Sequence, residues 1–225
     1  MDGSDRPAAA AGYGQWVRLS TSSFEDGGVI PSRYAFAKAD PDTHVVLSEN
    51  VNPALSWEDV PDGTKSFALI CHDPDVPSVG DDVNQEDREI PADLSRVDFF
   101  HWVVVDLPDD LRSIDEAEFA DGVVVGGQRV PEGPHGCRQG LNDFTDWFAE
   151  DAEMKGDYFG YDGPAPPWND SIVHHYVFTL FALSMSSVLV YGNFKGRDVR
   201  KAIRKRTLAE ASVTGTYTQN PRLLG

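Results

Sequence analysis

The chain has 225 residues, with 19 Lys and Arg against 37 Asp and Glu, which gives a formal net charge of −18 at pH 7. This length favours a single domain with a sizeable core, and the 40% hydrophobic content is typical of a globular protein. The acidic balance argues against a nucleic-acid binder and against docking on an anionic membrane surface, because both depend on Lys and Arg.

The first residues predict a flexible tail over 1–14, followed by a single domain over 15–225. Acidic residues stand where a secretory signal peptide needs positive ones, and no stretch approaches the roughly 18 apolar residues of a membrane span. Cys71 lies in an apolar run and Cys137 in a Gly-rich loop, which favours free thiols over a disulfide. These features predict a cytoplasmic protein that is not an integral membrane protein.

Short apolar runs separated by turn residues predict an all-β protein, with its strands assembled into a sandwich or a rolled sheet. In chain order, the predicted strands cover 15–20, 54–57, 66–72, 99–107, 174–183 and 212–218. One helix is predicted over 199–209, with Asp198 as its N-cap, and a second, short helix near 114–120. Two long irregular stretches, 78–98 and 126–167, are expected to be functional or well packed by their own side chains.

The histidines are the natural candidates for chemistry, because the chain has only six. His101 opens one apolar run and His174 opens another. Alternate residues of a strand share a face, so His174 and Tyr176 point to the same side near the strand end, and His175 points to the other side. Strand ends and the loops that join them are where binding residues concentrate.

Two further segments lie close to predicted strand ends. The segment 73–77 offers two carboxylates, Asp73 and Asp75, in a turn that its two prolines stiffen. The segment 163–167 predicts a rigid, apolar wall with few hydrogen-bond donors. Each signal is weak by itself, since a strand histidine is usually structural and a DPD sequence is usually an Asx-type turn.

A larger set of segments gains meaning from its order along the chain. The segments are FEDGGVIP at 24–31, NPALSW at 52–57, DPDVPS at 73–78, FHW at 100–102, GPAPP at 163–167, HHYVF at 174–178 and GTY at 215–217. Together they resemble the phosphatidylethanolamine-binding protein family, in its bacterial and archaeal, Raf kinase inhibitor-like branch. The resemblance implies an all-β fold, a two-sheet antiparallel β-sandwich with a few peripheral helices, and one small pocket for anions such as phosphate or a phosphorylethanolamine head group.

The resemblance also implies which residues form the pocket. They are Asp73, His101, Ala165, Pro166, Pro167, His174 and Tyr176. Asp75 and Pro77 support the turn, and Trp168 is expected to cap or narrow the pocket. The stretch 78–98 joins the turn to the strand of His101, so we expect it near the pocket mouth.

The chemistry of such a pocket follows from its side chains. An anion needs N–H and O–H donors in a partly dry cleft, and His101, His174 and Tyr176 supply them. Asp73 repels an anion unless it orients a histidine or meets the ammonium group of a zwitterionic head group. Because protonated histidine binds anions better, we expect phosphate-like ligands to bind less tightly as the pH rises above roughly 7.

The sequence therefore predicts a protein that binds a small anionic or zwitterionic ligand, without catalysis, cofactor or bound metal. A protein partner and a homodimer are further expectations. One alternative is a metal-dependent hydrolase that uses Asp73, His101 and His174, since two imidazoles and a carboxylate are a legitimate set for zinc or iron. Another is a protein-interaction (inhibitor) module that acts through the 78–98 loop or the basic region 195–206.

Overall fold

The computed structural model describes residues 16–224, so the tail expected over 1–14 lies outside the described residues. The strands are β1 (Arg18–Ser20), β2 (Ala37–Asp40), β3 (His44–Leu47), β4 (Leu55–Glu58), β5 (Ser66–Pro77), β6 (Arg96–Pro108), β7 (Ser113–Ile114), β8 (Arg138–Gln139), β9 (His174–Leu183) and β10 (Thr207–Tyr217). The helices are α1 (Phe144–Trp147) and α2 (Gly196–Ile203), with 3₁₀ turns at Ser32–Tyr34 and Pro134–Gly136.

The strands form two packed sheets and a separate hairpin. The larger sheet has five strands in the order β10-β9-β5-β6-β8, and the smaller has three in the order β1-β4-β7. Strands β2 and β3 form the hairpin, and every strand pair in residues 16–224 is antiparallel. The prediction of an all-β, two-sheet antiparallel β-sandwich with a few peripheral helices is confirmed.

The central strand β5 is apolar in consecutive positions because both of its faces are covered. Phe67 and Leu69 point into the core between the two sheets. Ala68 and Ile70 point the other way, into a second core to which α2 contributes Val199. Strands that are buried on both faces have continuous apolar runs rather than alternating ones.

Helix α2 differs from its prediction at both ends. The predicted helix over 199–209 is wrong in its second half, because the chain from Thr207 onward pairs with β9 as strand β10. This tertiary pairing overrides the local periodicity. Asp198 is also wrong as the N-cap, since it lies in the first turn and its carboxylate accepts the backbone N–H of Lys195 at 3.0 Å.

The second predicted helix, near 114–120, is not formed. The side-chain oxygen of Asn52 accepts the backbone N–H of Phe119 at 2.7 Å and that of Ala120 at 3.0 Å, which holds the segment as a turn. Ala117 has a φ of 64°, a left-handed conformation that an α-helix does not contain. A buried polar side chain from another part of the chain has therefore replaced the helical hydrogen bonds.

Several strands are longer than their predictions. Strand β5 runs to Pro77 and β6 begins at Arg96, so the loop expected over 78–98 is confined to 78–95. Both cysteines are buried free thiols, in agreement with the sequence. Within residues 16–224, no helix is long and apolar enough to cross a membrane.

Gly196, at the start of α2, lies at a close approach between the helix and β6. A Cβ at this position would lie 2.1 Å from Cδ1 of Phe100, which forces the helix or the ring to move. We expect Gly196→Ala to lower the free energy of unfolding by about 1–3 kcal/mol, the range for an overpacked core. Gly80→Ala is the matched control, because a Cβ there meets nothing within 4 Å. Thermal melts that show equal stability for the two variants would contradict this packing.

Candidate functional site

A cavity of about 340 Å³ lies at one end of the larger sheet, where β5, β6 and β9 meet the β2–β3 hairpin and α1. Its apolar wall includes Phe36, Ala37, Val45, Leu47, Val76, Val83, Phe99, Phe144, Trp147 and Phe148. Its polar groups include Asp73, His101, Tyr176 and Gln219. A concave, mostly apolar cleft with a few convergent polar groups is the usual form of a ligand site.

His101 reaches this cavity because β6 carries a bulge at its position. In the pairing of β5 with β6, Cys71 lies opposite Trp102 and His72 lies opposite Phe100, so His101 is the extra residue. A bulge bends its strand and re-aims the side chain, and bulges are frequent beside binding sites. The bulge therefore directs a histidine from a central strand into the cavity.

The ring of His101 is buried and held in one tautomer. Its Nδ1–H donates to the backbone carbonyl of Asp162 at 2.8 Å, since a carbonyl oxygen can only accept. Burial lowers the pKa of His101 to about 4, so the ring is neutral near pH 7. The remaining nitrogen, Nε2, then carries a lone pair. His101 thus offers the cavity a hydrogen-bond acceptor, in place of the N–H donor expected from the sequence.

Four charged side chains of alternating sign form a buried row beside the cavity. His174 Nδ1 donates to Oδ2 of Asp73 at 2.7 Å, and its Nε2 donates to Oδ2 of Asp170 at 3.0 Å. Asp170 also accepts hydrogen bonds from both terminal nitrogens of Arg96, at 2.6 and 3.1 Å. Burial alone would lower the pKa of His174, but the hydrogen bonds to Asp170 and Asp73 outweigh it and raise the pKa to about 9. The row therefore pairs two carboxylates with two cations.

His174 lies beside the site rather than in its wall. Both of its ring nitrogens are bonded to carboxylates, and the residue does not line the cavity. In this contact Asp73 orients a histidine, which is one of the two roles that the sequence allows for this carboxylate. Because the pKa of His101 is about 4 and that of His174 about 9, neither ring changes charge near pH 7. The two pKa shifts therefore argue against histidine protonation as the cause of a pH-dependent phosphate affinity near pH 7, and the pH dependence itself stays a prediction.

The segment 73–77, predicted as a turn, is instead the end of strand β5, where the pairing with β6 is irregular between Asp73 and Val76. Asp73 Oδ1 accepts the backbone N–H of Asp75 at 2.7 Å. Asp75 in turn accepts the backbone N–H and the ring Nδ1–H of His175, at 2.9 and 2.8 Å. Asp75 therefore lies outside the cavity wall, whereas Pro77 is part of that wall.

Two buried polar atoms at the cavity have no hydrogen-bond partner among the described residues. They are the hydroxyl of Tyr176 and Nε2 of Gln219, whose side chains belong to residues that are 0% and 1% exposed. Burial, followed by the charge of the Asp73 carboxylate and a hydrogen-bonding contact with it, raises the pKa of Tyr176 well above its usual value, so the hydroxyl keeps its proton. The contact with Asp73 falls short of normal hydrogen-bond geometry. The sequence predicts Tyr176 at this site. It does not predict Gln219, which follows β10 and belongs to none of the motifs.

The Pro-rich segment forms one side of the cavity and of its mouth. Ala165, Pro166 and Pro167 line the cavity together with Trp168. The indole of Trp168 stacks on the imidazole of His44, with ring centroids 4.0 Å apart and planes 10° apart. Trp168 thus connects this segment to the β2–β3 hairpin across the mouth.

The loop between β5 and β6 also reaches the mouth, where it lies against the residues that follow the Pro-rich segment. Gly80, Val83 and Asn84 line the cavity. Asn169 anchors the loop, because its carboxamide donates to the backbone carbonyl of Asp82 at 2.8 Å and accepts the backbone N–H of Asn84 at 3.0 Å. The acidic loop therefore forms part of the cavity wall at the pocket mouth, the position that the sequence predicts for it.

A metal centre built from Asp73, His101 and His174 does not fit this arrangement. Both nitrogens of His174 donate to carboxylates, so neither has a lone pair for a metal ion. Within residues 16–224, no group of three His, Cys, Asp or Glu side chains is arranged to hold a metal ion. Asp73, His101 and His174 therefore do not form the metal site that the hydrolase alternative requires.

The chain is similar to proteins of one family over most of its length. The sequence model of the phosphatidylethanolamine-binding protein family matches residues 20–218. The chain is 31% identical over 202 residues to the UPF0098 protein YbhB of Escherichia coli. The aligned region covers 90% of this chain and 100% of that protein. It is 34% identical over 204 residues to a UPF0098 protein of Methanothermobacter thermautotrophicus, and that alignment covers 89% of this chain and 98% of the relative.

A solved structure shares the fold. The crystal structure of Escherichia coli YbcL, described as a new member of the mammalian PEBP family, matches with a TM-score of 0.64 at 25% identity. The match covers 90% of this chain and 98% of that chain. The resemblance stated from the sequence is thereby confirmed, and the chain belongs to the phosphatidylethanolamine-binding protein family.

Proposed function

We propose that the cavity binds a small phosphate-bearing ligand, anionic or zwitterionic, such as a phosphorylethanolamine head group. The observation that carries this proposal is the buried hydroxyl of Tyr176, which lies beside Asp73 without a hydrogen bond of normal geometry, in a cavity that His101 also lines. A buried hydroxyl without a partner is costly, and a ligand that accepts its hydrogen bond removes that cost. Membership of a family of ligand-binding proteins supports the same conclusion.

Donors and acceptors both face the cavity, which suits a phosphate or a zwitterion. Tyr176 and Gln219 can donate to phosphate oxygens. His101 and Asp73 can accept, from a P–OH group or from an ammonium group. The cationic ring of His174 lies behind Asp73 and reduces the repulsion between that carboxylate and an anion. The apolar wall keeps water away and strengthens these contacts.

Tyr176→Phe tests the proposal with the removal of one hydroxyl group. Loss of a hydrogen bond to a charged ligand costs about 1.5–3 kcal/mol, so we expect a roughly 10- to 100-fold larger Kd. Calorimetric titration with phosphorylethanolamine and with inorganic phosphate measures the change. The ring itself stays in place, so the apolar packing around it is retained.

Tyr158→Phe is the matched control, because it also removes the hydroxyl of a buried tyrosine. That hydroxyl donates to the backbone carbonyl of Met154 at 2.6 Å, and Tyr158 does not line the cavity. We expect this variant to bind both ligands as the wild type does. Equal affinities of the wild type and Tyr176→Phe would refute the proposal, and so would a wild type that binds neither ligand.

The remaining predictions from the sequence concern partners and location. A homodimer, a protein partner at 78–98, a cytoplasmic location and the absence of catalysis stay predictions. The position of this loop in the fold bears on the prediction of a protein partner. Because the loop forms a wall of the mouth, a protein bound to it would cover the cavity, and partner and ligand would compete.

A further inference from the structure

We infer that Gln219 is a ligand-binding residue and that the cavity selects phosphate monoesters in their singly protonated form. The inference rests on the proposed function, since it specifies which phosphate the same cavity holds. It gives a role to a side chain outside every sequence motif. It also distinguishes a free phosphorylated head group from the phosphodiester of an intact phospholipid.

Gln219 is fixed at the cavity by its neighbours on both sides. Tyr217, the last residue of β10, donates its hydroxyl to the backbone carbonyl of Ala37 at 3.1 Å. The side chain of Asn220 donates to the backbone carbonyl of Asp170 at 2.7 Å. Between these two anchors, the carboxamide of Gln219 is buried at the cavity and its Nε2 has no partner.

The unpartnered amide of Gln219 belongs to a small group of atoms. Within residues 16–224, the buried side-chain atoms without a partner are Trp57 Nε1, His72 Nδ1, Gln139 Nε2, Tyr176 OH and Gln219 Nε2. Of these, the last two belong to residues that line the cavity. Buried donors are normally satisfied, so two unsatisfied donors at one cavity point to a ligand with oxygens that accept from both.

The acceptors at the cavity set a second requirement. His101 presents the lone pair of Nε2, because its Nδ1–H is bonded to the carbonyl of Asp162. Asp73 presents a carboxylate. A ligand that satisfies these groups and the two donors carries both an accepting oxygen and a donating O–H. A phosphate monoester with one proton has this combination, whereas its dianion and a phosphodiester anion offer acceptors only.

The charges around the cavity also favour a single negative charge on the ligand. The titratable residues that line the cavity are Asp73, His101 and Tyr176. Asp73 is a carboxylate, and burial lowers the pKa of His101 to about 4, so that ring is neutral near pH 7. The cation of His174 is already paired with Asp73 and Asp170. A second negative charge on the ligand would therefore meet repulsion without a new cation.

The ionisation of the ligand then determines the pH dependence. The second pKa of a phosphate monoester is about 6, so the singly protonated fraction falls about eightfold from about pH 5.5 to about pH 7. His101 and His174 keep their charge states there, with pKa values of about 4 and about 9. Asp162 does titrate there, since burial raises its pKa to about 7 despite hydrogen bonds from Asn142 and Asn50. A phosphodiester carries one negative charge at both pH values. Any change in its affinity between them therefore measures the contribution of Asp162.

Calorimetric titrations with methyl phosphate and dimethyl phosphate test the inference. We expect the wild type to bind methyl phosphate about eightfold less tightly at about pH 7 than at about pH 5.5. Dimethyl phosphate is expected to bind more weakly and without this slope. In Gln219→Met, the affinity for methyl phosphate is expected to fall about tenfold at both pH values, because one hydrogen bond to a charged group is lost.

Gln139→Met is the matched control for Gln219→Met. Gln139 is also buried with an unpartnered Nε2, but it does not line the cavity, so its replacement is expected to leave the affinity unchanged. The ligand-free Gln219→Met protein is expected to melt no lower than the wild type, whereas loss of a purely structural glutamine would lower the melting temperature. If this variant does not fold, Gln219→Asn shortens the same amide, and a comparable loss of affinity is expected.

The outcomes separate this inference from the proposed function. Equal binding of the two phosphates with the same pH dependence overturns the selection for monoesters and leaves phosphate binding intact. Unchanged affinity in the Gln219 variants overturns the role of that residue. A wild type that binds neither phosphate overturns the proposed function, and this inference with it.

Discussion

Replacement of Asp170 by Ala is expected to lower the free energy of unfolding by about 3–5 kcal/mol, the cost of breaking a buried ion pair by removal of one partner. Asp170 is 1% exposed and lies between two cations, Arg96 and His174. Burial alone would raise the pKa of Asp170, but hydrogen bonds from His174 and Arg96 hold it below its usual value. Without this carboxylate, two cations stay close together in the protein interior.

A more exposed ion pair of the same length provides the control for this prediction. The Arg200–Asp98 and Arg96–Asp170 pairs both have N–O distances of 2.6 Å. The side chains of the first pair are 35% and 37% exposed, against 13% and 1% for the second. We expect Asp98→Ala to cost about 1 kcal/mol or less, because water screens exposed pairs. Urea denaturation compares the two variants, and similar losses of stability would contradict the importance of burial.

Part of the cavity lining follows from the family resemblance. Period-two alternation puts Tyr176 on the same face of β9 as His174, and the resemblance assigns both residues and the Pro-rich segment to the pocket. Tyr176 and that segment line the cavity, whereas His174 does not. The orientation of His101 could not be predicted in this way, because its bulge is a property of the register between β5 and β6.

The partners of His174 could not be predicted either. Its two ring nitrogens are bonded to a carboxylate four residues earlier and to another 101 residues away. The carboxylate of Asp170 is oriented in turn by Arg96, at the start of β6. Only the folded chain brings these groups together, so a histidine with donors free for a ligand was the natural interpretation of the sequence.

The aromatic residues of the cavity wall could not be predicted for a different reason. Trp147 and Phe148 belong to the stretch 126–167, for which the sequence leaves both a functional and a packing role open, and both line the cavity. Helix α1 has four residues, too few to show a periodic pattern. Its Phe144 stacks on Phe36, with ring centroids 4.6 Å apart, which joins the helix to the β2–β3 hairpin at the cavity wall. Contacts between short elements far apart in the chain leave no local signal.

The stability of the protein is expected to fall as the pH rises from about 7 to about 9, and His174 is the cause. Its pKa is about 9 in the folded protein, against an ordinary value of 6.5. The folded state therefore binds more protons than the unfolded state between these values, and stability decreases with rising pH. The contribution is complete below pH 6.5 and lost above about pH 9, and it amounts to about 3 kcal/mol for a shift of this size.

Two other buried groups act at lower pH and in opposite directions. His101, with its pKa lowered by burial to about 4, adds stability as the pH rises from about 4 to 6.5. Asp162, with its pKa raised by burial from 3.8 to about 7, removes stability as the pH rises between those values. The interval above pH 7 therefore reports His174 with little interference from either group.

Urea denaturation between about pH 7 and about pH 9 measures this contribution. The wild type is expected to lose most of the stated free energy across the interval, whereas His174→Gln has no titrating ring and should be nearly flat. His175→Gln is the control, because that neighbouring histidine is exposed and its removal should leave the wild-type slope unchanged. A flat wild-type profile would show that His174 is not a buried cation, and the alternating row of charges beside the cavity would have to be abandoned.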